Sequence, residues 1–453
     1  MENKFYDCII IGGGPAGSTI ATTLADLGHE VLVLEKAKFP RPHVGESLLP
    51  FCYHVFKDLG ILETMKAKFA PKPGVKFSNI DGTQYSKWCF KDVIDDDSYL
   101  SFHVHRAEFD QILLNNSSAH GADVKEEIRV MRVDFDSAPD HSIVYAEDKD
   151  GKEFIFKTRF TIDASGQDTL LARQLNCKES FTTLNKRVAL STHWVNVKPN
   201  ESLAESNIEI VHLVGEKLGW IWMIPIEENR FSVGVALNME YSIAQRKILS
   251  KEHKDWQLAL YLQEIATSPE VSAVLNGAEM ANPIAANGDF SYYSSNKYST
   301  KHAMVGDAGG FIDPIFSSGI YLALKSGQLV GNGISHFLKT GSLSVMDAAY
   351  DDIAGAYRLV EKLVTTFYDP ASINFSGIDK SVGNYSFKKF ETAYSLIHLI
   401  LAGDFFTNHQ KYIDAIEVLR NPDMIEKYRY LIGHPAVHLI EKACSKTPEE
   451  LQA

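Results

Sequence analysis

A glycine-rich segment near the N-terminus constrains the fold more than any other feature of the chain. The run Gly12-Gly13-Gly14-Pro15-Ala16-Gly17 stands between an apolar, β-branched stretch at residues 6–11 and a helical pattern at residues 18–27. A second apolar stretch, residues 30–34, ends at Glu35. Glycines at this spacing between a strand and a helix, followed about 20 positions later by an acidic residue, are typical of a dinucleotide-binding β-α-β unit. The sequence therefore predicts a Rossmann-like fold at the start of the chain.

The small residues of this segment have distinct physical tasks. Gly12 permits the tight turn out of the strand, Gly14 lets backbone amides approach a pyrophosphate, and Gly17 lets the helix pack closely on the strand. Pro15 and Ala16 lie in the same turn, at the helix N-terminus that faces the negative charge. We expect all of them to line the cofactor.

Residues further along are expected to complete the nucleotide site. Glu35 is placed to accept hydrogen bonds from a ribose diol. Lys36 is either a contact to the adenosine half or an ordinary solvated lysine. Arg41 lies in the rigid, proline-rich passage at residues 39–42 and is a candidate phosphate contact, and Ser47 lies in the turn that follows this passage.

Two later carboxylates distinguish between dinucleotides, because the glycine motif alone fits either NAD or FAD. Asp163 follows an apolar strand at residues 160–162 and begins a turn of small residues. Asp307, in Val305-Gly306-Asp307-Ala308, stands at a strand end before a helical segment and is well placed to bond a ribityl hydroxyl. The three segments in this order indicate FAD.

Composition excludes several classes of function. The net charge of −13 at pH 7 leaves no basic field to hold a nucleic acid or an anionic membrane. The five scattered cysteines form no metal-binding spacing, so no metal site is predicted, and they suggest a reducing compartment. The N-terminal residues are charged where a secretory signal would be apolar, and the apolar stretch at residues 393–403 is too short to cross a membrane. We expect a soluble, cytoplasmic protein.

The patterns along the chain predict an α/β fold class. We expect a Rossmann-like FAD-binding fold interleaved with a β-rich substrate region, followed by a helical C-terminal region. The cofactor-binding module spans residues 1–340, and its β-rich parts lie at about residues 60–105 and 185–290. The helical region covers residues 341–453, and one apolar helical face in it should end before Pro370.

Several motifs together resemble a known superfamily. The glycine-rich run, Gly45-Glu46-Ser47, Arg106-x-x-Phe109-Asp110, Asp163-Ala164-Ser165-Gly166 and Gly306-Asp307 resemble, in this order, the flavoprotein monooxygenases near the geranylgeranyl-reductase-like branch. That pattern places Arg106 against the flavin nucleotide. Residues 219–225, GWIWMIP, resemble the W-x-W-x-I-P signature of flavin-dependent halogenases, and residues 311–319, FIDPIFSSG, match their F-x-x-P-x-x-S-x-G signature.

The resemblance implies a reaction and its residues. Reduced FAD would react with oxygen to a flavin hydroperoxide, which chloride or bromide would attack to give hypohalous acid. Lys72 corresponds to the catalytic lysine that directs this acid, either by a hydrogen bond or as a haloamine, which would require a lowered pKa. Ser318 and Gly319 are assigned to the halide, since a helix start supplies N–H donors. Trp220 and Trp222, on one face of a strand, would separate flavin from substrate.

Partners and substrate class follow from the same resemblance. No second glycine-rich motif occurs, which agrees with a separate flavin reductase that supplies reduced FAD. Phe316 stands where tryptophan-specific halogenases carry a catalytic glutamate. We therefore expect a phenol- or pyrrole-type halogenase whose small, electron-rich aromatic substrate is free or tethered to an acyl carrier protein. Two alternatives stay open: an FAD-dependent aromatic monooxygenase or geranylgeranyl-reductase-like oxidoreductase, and a non-catalytic flavin-binding protein.

Overall fold

The computed structural model describes residues 4–288, 291–372, 374–377 and 393–420. Its strands are β1 (Phe5–Ile11), β2 (Val31–Glu35), β3 (Ala70–Lys72), β4 (Gly74–Ser78), β5 (Tyr85–Cys89), β6 (Ser101–His103), β7 (Asp123–Glu126), β8 (Ile128–Asp134), β9 (Ser142–Asp148), β10 (Glu153–Asp163), β11 (Lys178–Ser180), β12 (Arg187–Val195), β13 (Ile208–Leu213), β14 (Gly219–Glu227), β15 (Arg230–Asn238), β16 (Glu279–Met280), β17 (Ala285–Gly288), β18 (Tyr292–Ser294), β19 (His302–Met304) and β20 (Gly310–Phe311). Its α-helices are α1 (Pro15–Asp26), α2 (Cys52–Asp58), α3 (Leu62–Lys68), α4 (Arg106–Ala119), α5 (Leu170–Gln174), α6 (Glu201–Ala204), α7 (Met239–Leu249), α8 (Trp256–Ile265), α9 (Pro269–Val274), α10 (Ser318–Thr340), α11 (Ser344–Tyr368), α12 (Ala393–Ala402) and α13 (His409–Arg420).

The first sheet confirms the Rossmann-like prediction. Its strands lie in the order β7-β2-β1-β10-β9-β8, and β19 also pairs with β10. Strands β1, β2, β10 and β19 run parallel to one another, and Ile11 pairs with both Leu34 and Asp163. The carboxyl ends of these strands therefore meet at one edge, which is where ligands bind in open α/β sheets.

Helix α1 begins at Pro15, earlier than predicted, because proline suits the first position of a helix. The long helix α10 packs against it. A Cβ atom added to Gly327 would lie 3.0 Å from the carbonyl oxygen of Ala16, and one added to Gly331 would lie 2.9 Å from Thr23. The two glycines thus permit the close approach that brings the start of α10 to the same region as the start of α1.

The second sheet forms the β-rich region. Its strand order is β16-β12-β15-β14-β13-β4-β5, and β17 pairs with β12. The strands come from residues 74–89 and 187–288, within the two stretches that the sequence indicates. One apolar core lies between this sheet and helices α8 and α9, and a larger one joins its other face to α10, α11 and α12.

The end of helix α11 agrees with its apolar periodicity. It stops at Tyr368, and Ile353, Ala356, Val360 and Phe367 on its predicted face are buried. Residues 421–453 of the predicted helical region lie outside the described residues. Within those described, no helix combines the length and hydropathy needed to cross a bilayer.

The cysteines of the described residues differ in state. Cys8, Cys52 and Cys177 are free, buried thiols, and Cys89 is disulfide-bonded.

Candidate active site

The glycine turn after β1 has the geometry that a dinucleotide pyrophosphate needs. Gly12 has φ +102°, and a Cβ atom there would lie 2.5 Å from the carbonyl oxygen of Ala164. A Cβ atom on Gly17 would lie 2.0 Å from the carbonyl oxygen of Gly12. Neither position tolerates a side chain, so the backbone is open where Gly14 leads into α1 at Pro15. This turn fits the phosphates of FAD.

Glu35 lies beneath the turn. Its carboxylate accepts hydrogen bonds from the backbone N–H groups of Gly13, at 2.7 Å, and Ala37, at 2.8 Å. Lys36 instead forms an ion pair with Asp168 at the surface. The structure thus brings Glu35 to the nucleotide edge and places Lys36 in a solvent-exposed pair.

Two arginines share one buried carboxylate beside the turn. Arg106 donates to Asp110 through Nε, at 2.8 Å, and Nη2, at 2.9 Å, while its Nη1 donates to the carbonyl of Val44. Arg41 lies 3.4 Å from the same carboxylate, and its Nη2 is 3.4 Å from a Cβ atom built on Gly14. Asp110 therefore holds both cations near the phosphate turn. Asp110 is part of the Arg106-x-x-Phe109-Asp110 motif but was not predicted as a site residue.

The two predicted FAD carboxylates differ in what they contact. The Asp163 carboxylate accepts hydrogen bonds from the backbone N–H groups of Ser165, at 2.9 Å, and Leu171, at 2.7 Å. It therefore shapes the turn that follows β10. Asp307 lies in a 3₁₀ turn that starts at Gly306, against Ala16 of α1. Burial raises the pKa of Asp307 to about 7, although the positive charge of Arg106 opposes the rise. A hydroxyl donor, such as one on a ribityl chain, would stabilise the charged carboxylate and oppose this rise.

Ser47 directly precedes Leu48, whose carbonyl accepts the hydrogen bond of Lys72. It bridges His103 of β6, and its buried Oγ has no hydrogen-bond partner among the described residues. A buried hydroxyl without a partner is costly unless a ligand satisfies it. Ser47 therefore remains a candidate cofactor contact.

Lys72 ends strand β3, which pairs with β6 so that Lys72 faces Ser101. Its side chain is buried, with 2% exposed, and Nζ donates to the carbonyl of Leu48 at 2.8 Å. The same Nζ lies 5.5 Å from the centre of the Phe90 ring. Burial lowers the pKa of Lys72 to about 7, against a smaller opposite effect of Cys52. Near neutral pH this lysine is available both as an ammonium donor and as a free amine.

The segment before α10 supplies a site for an anion. Ser317 has φ +56°, in the left-handed region, and Ser318 and Gly319 form the first turn of the 23-residue helix α10. Ser318 is fully buried, and its Oγ has no partner among the described residues. The nearest atom to a Cβ built on Gly319 is 3.9 Å away, in the Phe311 ring. Free N–H groups, the helix dipole and an unpartnered hydroxyl favour a bound halide here.

A buried charged network that was not predicted from the sequence supports this segment. Asp313, with 0% exposed, accepts from Ile315 N–H at 3.2 Å and from the Tyr368 hydroxyl at 2.9 Å. Arg187 Nη1 lies 3.2 Å from Asp313, and the guanidinium stacks 3.5 Å from the centre of the Tyr368 ring. Arg187 also donates to the carbonyl of Leu218, at 3.2 Å. The only sequence signal was an acidic residue inside an otherwise apolar signature.

The two tryptophans form a wall on β14. Trp220 and Trp222 are buried, and their ring centres are 5.0 Å apart. Trp222 Nε1 donates to Ser232 at 3.3 Å, and the indole N–H of Trp220 lies beside Asp313 and Tyr368. Strand β14 also contacts β3 and β6, which carry the Lys72 region. The fold thus brings Lys72, the tryptophan pair and the start of α10 into one neighbourhood.

Comparisons with known proteins identify the family to which the chain is similar. The sequence profile described as tryptophan halogenase matches residues 7–91 and 91–372. The chain is 31% identical over 366 residues to the 1H-pyrrole-2-carbonyl-(peptidyl-carrier protein) chlorinase of Pseudomonas fluorescens Pf-5, covering 76% of this chain and 79% of that protein. It is 34% identical to the tryptophan 2-halogenase of Chondromyces crocatus over 73% of this chain and 61% of that protein.

Solved structures show the same similarity. The flavin-dependent brominase Bmp2 matches with a TM-score of 0.76 and 25% identity, over 94% of this chain and all of that one. The myxobacterial chondrochloren halogenase CndH matches with a TM-score of 0.71 and 28% identity, over 92% of this chain and 97% of that one. From its matched profile, its relatives and its site, the chain belongs to the tryptophan halogenase family of flavin-dependent halogenases.

Proposed function

We propose that this enzyme chlorinates or brominates an electron-rich pyrrolic or phenolic ring carried as a thioester on an acyl carrier protein, with Lys72 as the residue that directs hypohalous acid to the ring. The observation that carries the proposal is the buried Lys72, which has a pKa lowered to about 7. A catalytic group is most effective when its pKa lies near the working pH.

The structure's own residues divide the work around the flavin. When bound, reduced FAD and oxygen supply the oxidising equivalent that converts a halide into hypohalous acid. The first turn of α10 holds the halide, and the buried Trp220 and Trp222 keep an organic ring away from the flavin. Lys72 then either donates a hydrogen bond to the acid, which makes its halogen more electrophilic, or exchanges an N–H hydrogen for the halogen with release of water.

The substrate class rests on the named relatives and on the apolar surroundings. A second relative, from Pseudoalteromonas luteoviolacea, is named 1H-pyrrole-2-carbonyl-(peptidyl-carrier protein) brominase and is 28% identical over 81% of this chain. Phe77, Phe316, Phe367 and Phe375 form one aromatic cluster behind the α10 segment, with ring centres 5.4–6.4 Å apart. This buried cluster makes the surroundings of the α10 segment apolar, which suits a flat, neutral ring.

The test supplies the purified enzyme with FAD, a flavin reductase, NADH and bromide, together with pyrrolyl and hydroxybenzoyl carrier proteins and the corresponding free acids. We expect a product with the two-isotope pattern of bromine on the carrier-bound ring. A hydroxylated product that forms without halide would contradict the proposal. Omission of the reductase tests the partner, because product is then expected only when chemically reduced FAD is added.

A further inference from the structure

A buried carboxylate of the Gly45-Glu46-Ser47 motif is held by a histidine from the second sheet. Glu46 is 4% exposed, and its Oε1 accepts a hydrogen bond from Nε2 of His193 at 2.6 Å. Among the described residues, His193 is the only hydrogen-bond donor to this carboxylate. A buried carboxylate that lost such a donor would be left unpaired, at a large cost in free energy. His193 therefore fixes the position of Glu46.

His193 lies on β12, on the face of the second sheet that carries the tryptophans of β14. It pairs in register with Ser232 of β15, whose Oγ accepts the hydrogen bond of Trp222. Side chains of cross-strand partners project to the same face of a sheet. The ring of His105, directly before α4, packs edge-on against the imidazole, with ring centres 6.0 Å apart. The imidazole is thus held between the sheet and the start of the helix that carries Arg106.

The backbone that follows Glu46 supplies the acceptor of Lys72. The carbonyl of Glu46 accepts the N–H of Val104 at 2.8 Å, and Leu48 donates its N–H to the carbonyl of Phe102 at 3.0 Å. This stretch therefore lies along β6 like a short antiparallel strand. The carbonyl of Leu48 accepts the hydrogen bond of Lys72 Nζ at 2.8 Å, and within the described residues it is the only hydrogen-bond acceptor of Nζ.

We propose that Glu46 and His193 are a positioning pair for Lys72. The imidazole holds the carboxylate, and with it the 46–48 segment, so that the Leu48 carbonyl stays where it accepts Nζ. The inference rests on the proposed function, since it concerns the lysine that directs hypohalous acid to the ring. A displaced lysine would no longer direct this small, neutral acid, and more of it would escape into solvent.

The first experiment compares the two fates of the oxidised halide. The full chain is supplied with FAD, a flavin reductase, NADH, bromide and the ring substrate, and monochlorodimedone traps the hypohalous acid that escapes. In His193→Phe we expect the ratio of halogenated ring to halogenated trap to fall at least about tenfold, as the loss of one hydrogen bond to a charged group implies. Total oxidised halide and the Kd for FAD should not change.

Two further variants control this experiment. His193→Gln should retain part of the ratio, because its amide N–H can still donate to Glu46. His141→Phe is the matched control, since it removes a histidine that lies 2.9 Å from the exposed carboxylate of Asp140, and it should leave the ratio unchanged. An unchanged ratio in His193→Phe would overturn the proposal. So would an equal loss of FAD binding and of total oxidised halide, because a general structural role predicts that result.

Unfolding measurements test the pair without any turnover. Part of the free-energy cost of His193→Phe should come from the buried ammonium whose acceptor moves, so the cost should be smaller in a Lys72→Met background. His141→Phe should cost the same in both backgrounds. Equal costs of His193→Phe in the two backgrounds would refute the coupling to Lys72. If the native enzyme halogenates neither ring nor trap, the proposed function fails, and the unfolding result still decides on the pair.

Discussion

Lys72 is unusual because a long, ionisable side chain ends in a buried position with one carbonyl partner, Leu48. Desolvation penalises its charged form, which is why its pKa falls to about 7. The same desolvation, which suits the catalytic role proposed for Lys72, therefore lowers the stability of the fold at and below neutral pH. The residue thus links reactivity to a measurable cost in unfolding free energy.

Replacing Lys72 with methionine should lower the rate of halogenation by about a hundredfold or more. The same substitution should stabilise the fold near neutral pH. The pKa of Lys72 is lower in the folded state than in the unfolded state, so between these two pKa values the unfolded chain binds a proton that the folded chain does not. The resulting loss of unfolding free energy is complete below about pH 7. Between pH 7 and about pH 9.5 the advantage of the methionine variant should shrink by roughly 2–3 kcal/mol. Urea unfolding of both proteins at the two pH values measures the difference in unfolding free energy between the variant and the native protein. If this difference did not change with pH, the lowered pKa would be contradicted.

Tyr368 is the residue through which α11 acts on the halide segment. Its hydroxyl donates to the buried Asp313 at 2.9 Å, so Tyr368→Phe should cost about 1.5–3 kcal/mol. Asp313 also accepts a hydrogen bond from the backbone N–H of Ile315, in the loop directly before α10. Loss of the Tyr368 bond should therefore loosen this loop, and we expect the KM for halide to rise severalfold while the Kd for FAD does not change. The control is Tyr298→Phe, which removes a comparable bond to Asp347 at the exposed surface. Equal halide KM values in the two variants would contradict a positioning role for Tyr368.

At the scale of elements, strand β15 makes the room that the tryptophan wall needs. Gly234 lies opposite Trp222 in the β14–β15 pair, and a Cβ atom there would lie 2.1 Å from the indole ring. The ring lies across the neighbouring strand because glycine stands there. The wall is thus a property of two strands rather than of the tryptophans alone.

Gly234→Ala should destabilise the protein by about 1–3 kcal/mol, because the indole must leave its position. Gly288→Ala is the control on β17, since its nearest neighbour would be the flexible end of Met239 at 3.6 Å. Trp222→Leu should cancel part of the cost, which a double-mutant cycle measures from chemical unfolding. Additive effects of the two substitutions would show that the ring does not depend on Gly234.

At the scale of the whole molecule, the cofactor site joins segments that are distant in sequence. The turn at Gly12, the Arg106–Asp110 pair, the loop after Asp163 and the turn at Asp307 meet at one edge of the first sheet. A ligand bound there would contact all four segments. We therefore expect the predicted cofactor-binding module, residues 1–340, to unfold as one unit.

FAD at about a hundred times its Kd should add roughly 2.7 kcal/mol to the unfolding free energy and move the thermal transition as a single step. Arg41→Ala should reduce this shift, because the Arg41 guanidinium lies beside the glycine turn. Arg129→Ala, at an exposed position on β8, should retain the full shift. If FAD moved only part of a biphasic transition, the module would not unfold as one unit.

Much of the fold and part of the site follow from local chemistry. The strand, glycine turn and helix at residues 5–26 follow from apolar periodicity and from backbone angles that only glycine adopts easily, as at Gly12. The end of α11 before Pro370 has the same local origin. The pairing of Trp220 and Trp222 on one face follows from the period of a strand.

Interactions between residues far apart in the chain depend on the tertiary structure. The Asp163 carboxylate accepts a hydrogen bond from the backbone of the loop that follows it. Asp110 forms ion pairs with Arg41 and Arg106. Arg187, Asp313 and Tyr368 form one buried network. The lowered pKa of Lys72 likewise requires neighbours from other segments. The cofactor turn, the helix and strand periods and the signatures can be predicted from the amino acids alone, because backbone sterics and periodicity act locally. Burial and charge pairing depend on which distant groups meet, so only the folded chain decided them.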